Sequence, residues 1–210
     1  MLSIALPKGR LGSDVYSLFE NIGYGVAGID DDTRKLVFEN AELGVRYLLV
    51  KPSDVAIYVE HGAADLGIVG RDTLLETKPD VYELLDLGLG ACGICTAAPK
   101  GYVENESIPL RVATKYTNIT REYFSKKNRI VEIIKLNGSV ELAPILGLSD
   151  IIVDIVETGS TLRENNLEVR TVVTDSTARL IANKSSYKFE TAAMDSICGK
   201  LERFLKEGAK

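Results

Sequence analysis

Two short runs of this sequence bring together groups that could handle phosphate and sugar. In Ile151-Ile152-Val153-Asp154-Ile155-Val156-Glu157-Thr158-Gly159-Ser160-Thr161-Leu162-Arg163, an apolar run that reads as a buried strand delivers an acidic pair, then small hydroxyl residues around a glycine, then a helix start. Backbone N–H groups at such a start, with the hydroxyls of Thr158, Ser160 and Thr161, suit a phosphate monoester, and the helix dipole favours its charge. Gly159 lets the backbone come close. The carboxylates of Asp154 and Glu157 would be poor phosphate ligands but good acceptors for ribose hydroxyls. An acid followed by an amide nest therefore fits a ribose 5-phosphate. The plain alternative is a strand followed by a helix capped by Ser or Thr.

The second run, Leu6-Pro7-Lys8-Gly9-Arg10-Leu11, sets two cations around a glycine at the end of an apolar segment. Arginine offers a planar fork for bidentate phosphate contacts and lysine a movable point charge, a pair suited to pyrophosphate or a triphosphate. Taken alone it is equally a solvated basic turn. Arg34-Lys35 and Lys51 add cations near expected loops, and Asp72 either accepts from an adenine amino group or caps a helix over 73–76. Ser139 and Glu141, after Gly138, could reach a site or serve as caps.

These runs need elements to position them. Short apolar β-branched segments alternate with segments of helical period, the pattern of an α/β protein with mostly parallel strands. Strands are predicted at 3–6, 46–50, 66–69, 92–97, 111–114, 131–136, 151–156 and 170–174, with helices in the gaps. Val15, Leu18, Phe19 and Ile22 share one helical face ending at Gly23. Val55, Tyr58 and Val59 repeat the device between Ser53 and Gly62. From Lys188, the residues Phe189, Ala193, Ile197, Leu201 and Phe204 form the face of a closing amphipathic helix. The polar stretch 100–109 reads as a surface loop. Residues 64–72 and 149–159 echo each other as strand, tight turn and helix, and in open α/β sheets ligands bind outside the carboxyl ends of strands, where both turns would lie. The expected architecture is two lobes with a cleft: a discontinuous domain of 1–91 with 175–210, and a second of 92–174 carrying the phosphate-and-ribose run.

Composition narrows the chemistry. The 210 residues are 45% hydrophobic and 26% charged, ordinary values for a folded soluble chain. No basic head precedes an apolar run at the N-terminus and no stretch approaches the ~20 apolar residues of a membrane helix, so no export signal or membrane role is expected. With three cysteines, an odd number, a reduced, cytoplasmic setting is expected. Cys92-Gly93-Ile94-Cys95 has no second pair to complete a zinc site and reads as two strand cysteines. His61 is the one histidine, which excludes any mechanism needing several. A net charge of −5 argues against a nucleic-acid surface and leaves small anions as ligands held by local basic clusters.

Beside this reading stands a resemblance. Leu6-Pro7-Lys8-Gly9-Arg10, Arg34-Lys35-Leu36, Tyr58-Val59-Glu60-His61-Gly62-Ala63-Ala64-Asp65-Leu66-Gly67-Ile68, Ala113-Thr114-Lys115-Tyr116, Gly138-Ser139-Val140-Glu141-Leu142-Ala143-Pro144 and the run 154–162 look like successive motifs of the ATP phosphoribosyltransferases, in family order over nearly the whole chain. Lys51 and Arg71 exchange basic types relative to that pattern. The resemblance implies a two-lobed fold like the type II periplasmic binding proteins. Phosphoribosyl pyrophosphate would be held by Asp154, Glu157, Thr158, Gly159, Ser160 and Thr161. ATP would contact Lys8, Arg10, Arg34, Lys51 and Asp72, with Arg10, Arg34 and Lys8 as the catalytic cations. It implies attack of adenine N1 on the anomeric carbon with loss of pyrophosphate, in the first step of histidine biosynthesis. Magnesium would arrive on substrate phosphates without a protein cage. Longer members carry a C-terminal regulatory domain that this chain is expected to lack. Short members pair as homodimers of catalytic subunits with a histidyl-tRNA synthetase-like regulatory subunit. A solute-binding module of the same fold, or a scaffold that has lost activity, are the competing classes.

Overall fold

The computed structural model describes residues 1–29 and 34–208. In chain order the first elements are β1 (Leu2–Pro7), α1 (Arg10–Asn21), β2 (Val37–Asn40), β3 (Val45–Val50), α2 (Val55–Glu60), β4 (Leu66–Gly70), α3 (Arg71–Thr77) and β5 (Val81–Asp86). Next come β6 (Cys92–Pro99), β7 (Leu110–Thr114), α4 (Thr117–Lys126), β8 (Val131–Lys135), α5 (Leu142–Ile145), β9 (Ile151–Val156), α6 (Ser160–Glu164) and β10 (Leu167–Ser176). The chain closes with β11 (Ala178–Asn183), α7 (Lys184–Phe189) and α8 (Thr191–Gly208).

These elements form two compact units. The first comprises Met1–Leu74, Lys78–Gly90 and Thr177–Lys210; the second comprises Leu75–Thr77 and Ala91–Ser176. The first holds a six-stranded sheet in the order β2-β3-β1-β4-β11-β5, the second a five-stranded sheet in the order β10-β6-β9-β7-β8. All six residues of β1 are buried, as a strand covered on both faces requires. One face packs Ile4, Leu66 and Leu180 under α1 and α8 through Val15, Phe19, Met194, Ile197 and Leu201. The other packs Ala5 and Ile181 under α2 through Val55, Ala56 and Val59. In the second unit Val112, Ile151 and Val153 face α4, while Ala113 and Ile152 face α5 and α6.

The two sheets repeat one design. In the first, β1 is parallel to β3 and β4, with β11 antiparallel to β4 and to β5. In the second, β7 is parallel to β8 and β9, with β6 antiparallel to β9 and to β10. The echo between 64–72 and 149–159 belongs to this repeat and extends to single atoms. Asp65 Oδ2 accepts the Ser3 N–H at 2.8 Å, and Asp150 Oδ2 accepts the Arg111 N–H at the same distance. Each aspartate stands just before its strand and clamps the start of the parallel neighbour. Its own N–H returns the bond, to Ser3 O at 2.8 Å and to Arg111 O at 2.9 Å.

Several sequence expectations are corrected. β2, β5 and β11 are strands where helices were expected. Ala178-Arg179-Leu180-Ile181-Ala182 is rich in helix formers, but pairing with both β4 and β5 overrides that propensity. β10 runs from Leu167 to Ser176, well beyond 170–174, because it follows β6 along an antiparallel ladder with two register shifts. The closing helix begins at Thr191. Phe189 ends α7 instead and is 86% exposed, so it is no part of the buried face. The N-cap of α2 is Asp54, without a side-chain cap bond, and Ser53 donates to the Asp54 carboxylate at 2.7 Å.

Candidate functional site

In the second unit the β9–α6 turn is built as a strand end that runs out of cover. Ile151, Ile152 and Val153 are buried, Asp154 is half-buried, and Glu157, Thr158, Ser160 and Thr161 are exposed. The N-cap of α6 is Gly159 at φ 70, where a side chain would be strained, so neither Ser nor Thr caps this helix as the plain alternative had it. A Cβ there would also meet the Arg163 guanidinium at 3.2 Å. That guanidinium donates to the Thr158 carbonyl at 2.9 Å and braces the turn. The Thr158 and Ser160 hydroxyls lie 3.1 Å apart, and the Ser160 N–H reaches Thr158 Oγ1 only at 3.4 Å, a long bond that leaves this donor weakly satisfied.

Asp154 is the electrostatic centre of the turn. Its Oδ1 is buried with no hydrogen-bond partner among the described residues. Burial pushes its carboxyl above the usual carboxylate range. The Ile155 backbone N–H and the Lys115 ammonium pull it down, and the Glu141 carboxylate pushes it up. A buried acceptor without a protein partner is costly, and a ligand hydroxyl placed there would satisfy it. Ser139 and Glu141 lead into α5, with Glu141 as its N-cap but making no side-chain cap bond.

At α4 of the same unit the anion position is already filled. The Glu76 carboxylate accepts from the Asn118 N–H at 2.9 Å, the Ile119 N–H at 3.0 Å and the Thr117 hydroxyl at 3.1 Å, at the N-terminus of α4. A negative charge there is favoured by the same dipole that would attract a phosphate. Nothing in the sequence spacing signals this contact, which spans more than forty residues.

In the first unit the cations collect at the carboxyl edge of β1 and β3. Pro7 is paired with Val50, so Lys8 and Lys51 step off adjacent strands side by side, and the Lys8 N–H donates to Val50 O at 2.8 Å. Gly9, at φ 96, is the N-cap of α1, and Arg10 is its first residue. Arg34 is exposed and leads toward β2, where Leu36 O accepts the Leu49 N–H at 2.8 Å. That bond brings the Arg34 segment to the same edge. Asp72 lies inside the first turn of α3, whose N-cap is Gly70, so it is not the cap. Beside Lys8 opens a cavity of about 380 Å³ whose lining includes Ser13, Tyr16, Ser17, Glu20 and Leu49. Sequence reasoning assigned no role to Ser13, Tyr16, Ser17 and Glu20 of α1. Each unit thus gathers its candidate residues where parallel strands end, the position that α/β sheets use for ligands.

His61 is the exposed C-cap of α2. Cys95 is buried on β6 and burial pushes its thiol up, while Cys92 donates weakly to Ser176 O at 3.7 Å. Among the described residues no three or more His, Cys, Asp or Glu stand together as a metal cage, and no helix is long and apolar enough to cross a membrane.

Comparison with known proteins gives these sites a context. A family model described as ATP phosphoribosyltransferase matches residues 51–203. The ATP phosphoribosyltransferase of Brachyspira hyodysenteriae is 61% identical over 206 residues, 98% of this chain and 100% of the relative. That of Clostridioides difficile is 53% identical over 199 residues, covering 93% and 94%. Among solved structures, the ATP phosphoribosyl transferase (HisG:HisZ) complex from Thermotoga maritima contains a chain that is similar with a TM-score of 0.85 at 36% identity, covering 99% of this chain and 100% of that one. Holo ArgBP from T. maritima is similar in fold alone, with a TM-score of 0.57 at 15% identity over 100% of this chain and 90% of that one.

Proposed function

The chain belongs to the ATP phosphoribosyltransferase family, and we propose from that premise that it joins ATP to phosphoribosyl pyrophosphate in the first step of histidine biosynthesis. Adenine N1 attacks the anomeric carbon with inversion, pyrophosphate leaves, and no protein nucleophile is needed. The observation that carries the reading is the β9–α6 turn: an acid with a buried, unpartnered oxygen, followed by a left-handed glycine among exposed hydroxyls. Asp154 and Glu157 take the ribose hydroxyls, while Thr158, Gly159, Ser160 and Thr161 take the 5-phosphate.

Lys8, Arg10, Arg34 and Lys51 then serve ATP and the leaving group. Charge builds on pyrophosphate as the anomeric C–O bond to it breaks and the C–N bond to adenine forms, and preorganised cations stabilise that build-up more than they stabilise the bound substrates. Arg10 and Arg34 are the proposed transition-state cations, Lys8 assists, and Asp72 is proposed on the adenine side. Magnesium, riding on the substrate phosphates, would supply further positive charge to the leaving group. The basic side chains gathered at the ends of β1 and β3 suit substrate phosphates. We further propose a cytoplasmic hetro-oligomer, with homodimers of this chain joined by a HisZ-type, histidyl-tRNA synthetase-like subunit. The likeness to a chain of the T. maritima HisG:HisZ complex supports the hetero-oligomer.

The test is product formation from ATP, phosphoribosyl pyrophosphate and magnesium, followed by the near-ultraviolet absorbance of N1-substituted adenine, with and without the partner. Product in either assay supports the reading. Binding of phosphoribosyl pyrophosphate with no product in either assay would instead mark a binding module.

A further inference from the structure

The β7–α4 turn carries a cation for which the sequence motifs suggest no task. Thr114 is paired with Val153 in the parallel β7–β9 ladder, so Lys115, the first residue past the end of β7, leaves the sheet beside Asp154 of β9. Ala113 and Ile152, two residues earlier on the two chains, both pack under α5 and α6. Fully buried Thr114 fixes the turn: its hydroxyl donates to Val153 O at 2.6 Å and accepts the Tyr116 N–H at 2.8 Å. On the far side Glu76 holds the first residues of α4. Lys115 therefore leaves a backbone pinned at both ends, with its ammonium 4.8 Å from the centroid of the Tyr116 ring.

The charged and titratable groups around Asp154 come from five places. Lys115 faces it from the β7–α4 turn and Glu141 from the start of α5. Cys95 is its cross-strand partner on β6, with a thiol that burial pushes up and so keeps neutral. Glu157 lies three residues along its own chain. Arg163 on α6 is committed to the Thr158 carbonyl. Lys115 is thus the cation that acts on Asp154, against both burial and Glu141.

We propose that Lys115 is a positioning residue of the phosphoribosyl site, the counter-charge that readies Asp154 to accept ribose hydroxyls, without itself holding a phosphate. This rests on the reading that phosphoribosyl pyrophosphate occupies the β9–α6 turn. An ionised carboxylate accepts at both oxygens, whereas a protonated one spends an oxygen as a donor. Burial favours the protonated form and a nearby ammonium opposes it. Loss of Lys115 should therefore weaken substrate binding on the acid side and spare it on the alkaline side.

The experiment is calorimetric titration of the full-length chain with phosphoribosyl pyrophosphate and magnesium across pH, using the parent, Lys115→Met, Lys115→Arg and Asp154→Asn. The expected result is that Lys115→Met binds about tenfold more weakly at mildly acid pH, the effect of one opposite charge nearby, and converges on the parent as pH rises. Lys115→Arg should restore the parent curve. Equal weakening at every pH would make Lys115 a phosphate ligand and overturn the proposal, as would a Lys115→Met curve matching the parent. Should Asp154→Asn bind like the parent throughout, the reading of the site itself fails. Loss of binding in Asp154→Asn beside an unchanged Lys115→Met curve would sink the Lys115 role alone.

Discussion

Gly12→Ala should damage this protein although it places a better helix former in a helix. Alanine is favoured over glycine by about 1 kcal/mol in a helix interior. A Cβ on Gly12, however, would stand 1.7 Å from the Pro7 carbonyl oxygen and 3.0 Å from the Pro7 carbonyl carbon. Both obstacles are backbone, so no rotamer relieves the overlap. The start of α1 must retreat by roughly 1.5–2 Å to recover an ordinary contact, and forced backbone shifts of this kind cost about 1–3 kcal/mol. With the helix gain subtracted, the net loss should be up to about 2 kcal/mol. The same retreat displaces Lys8 and Arg10, which flank the β1–α1 junction. A misplacement of about 1 Å can cost about a hundredfold in turnover. Gly199→Ala in α8 is the control: a Cβ there meets nothing within 4 Å, and the substitution should stabilise by about 0.5–1 kcal/mol. Denaturant midpoints and steady-state turnover of the two variants test both signs. A Gly12→Ala variant as stable as Gly199→Ala would refute the packing of α1 on the end of β1.

Three further outcomes are expected. Arg10→Ala should lower turnover about 100- to 1000-fold, as loss of a charge-stabilising donor does, while its thermal midpoint stays near the parent's; normal turnover would remove Arg10 from the mechanism. Asp154→Asn should raise the thermal midpoint near neutral pH while abolishing binding of phosphoribosyl pyrophosphate. A carboxyl whose folded pKa lies above its unfolded one costs stability once pH exceeds the unfolded value, so a lower midpoint would contradict the burial of that charge. Arg111 side-chain bonds, at 2.6 and 3.3 Å, hold the Asp150 carboxyl below the usual range, so that pair contributes stability above the ordinary carboxylate pKa and loses it as pH falls toward the depressed one. Stability curves of the parent and Asp150→Asn should differ near neutrality and converge in acid; parallel curves would deny the linkage.

What the sequence determined by itself was local. β9 runs from Ile151 to Val156 as read, because a β-branched run broken only by Asp154 favours a strand whose first half is buried. The turn after it was legible because an acid, hydroxyls and a glycine sit within eight residues, and Lys8, Gly9 and Arg10 were legible for the same reason. Helices α1 and α2 end at Gly23 and Gly62 as their periodicity indicated. Tertiary structure decided whatever depended on partners distant in sequence. β11 became a strand because β4 and β5 offered two edges, and no periodicity within 178–183 encodes that. Glu76 became the anion of α4, more than forty residues away, and Phe189 fell outside the closing helix it matched in phase. Lys115 acquired its place beside Asp154 only when Thr114 paired with Val153. Composition and spacing specify what a segment can do alone, whereas charge coupling, ladder register and burial are properties of pairs that the folded chain must first bring together.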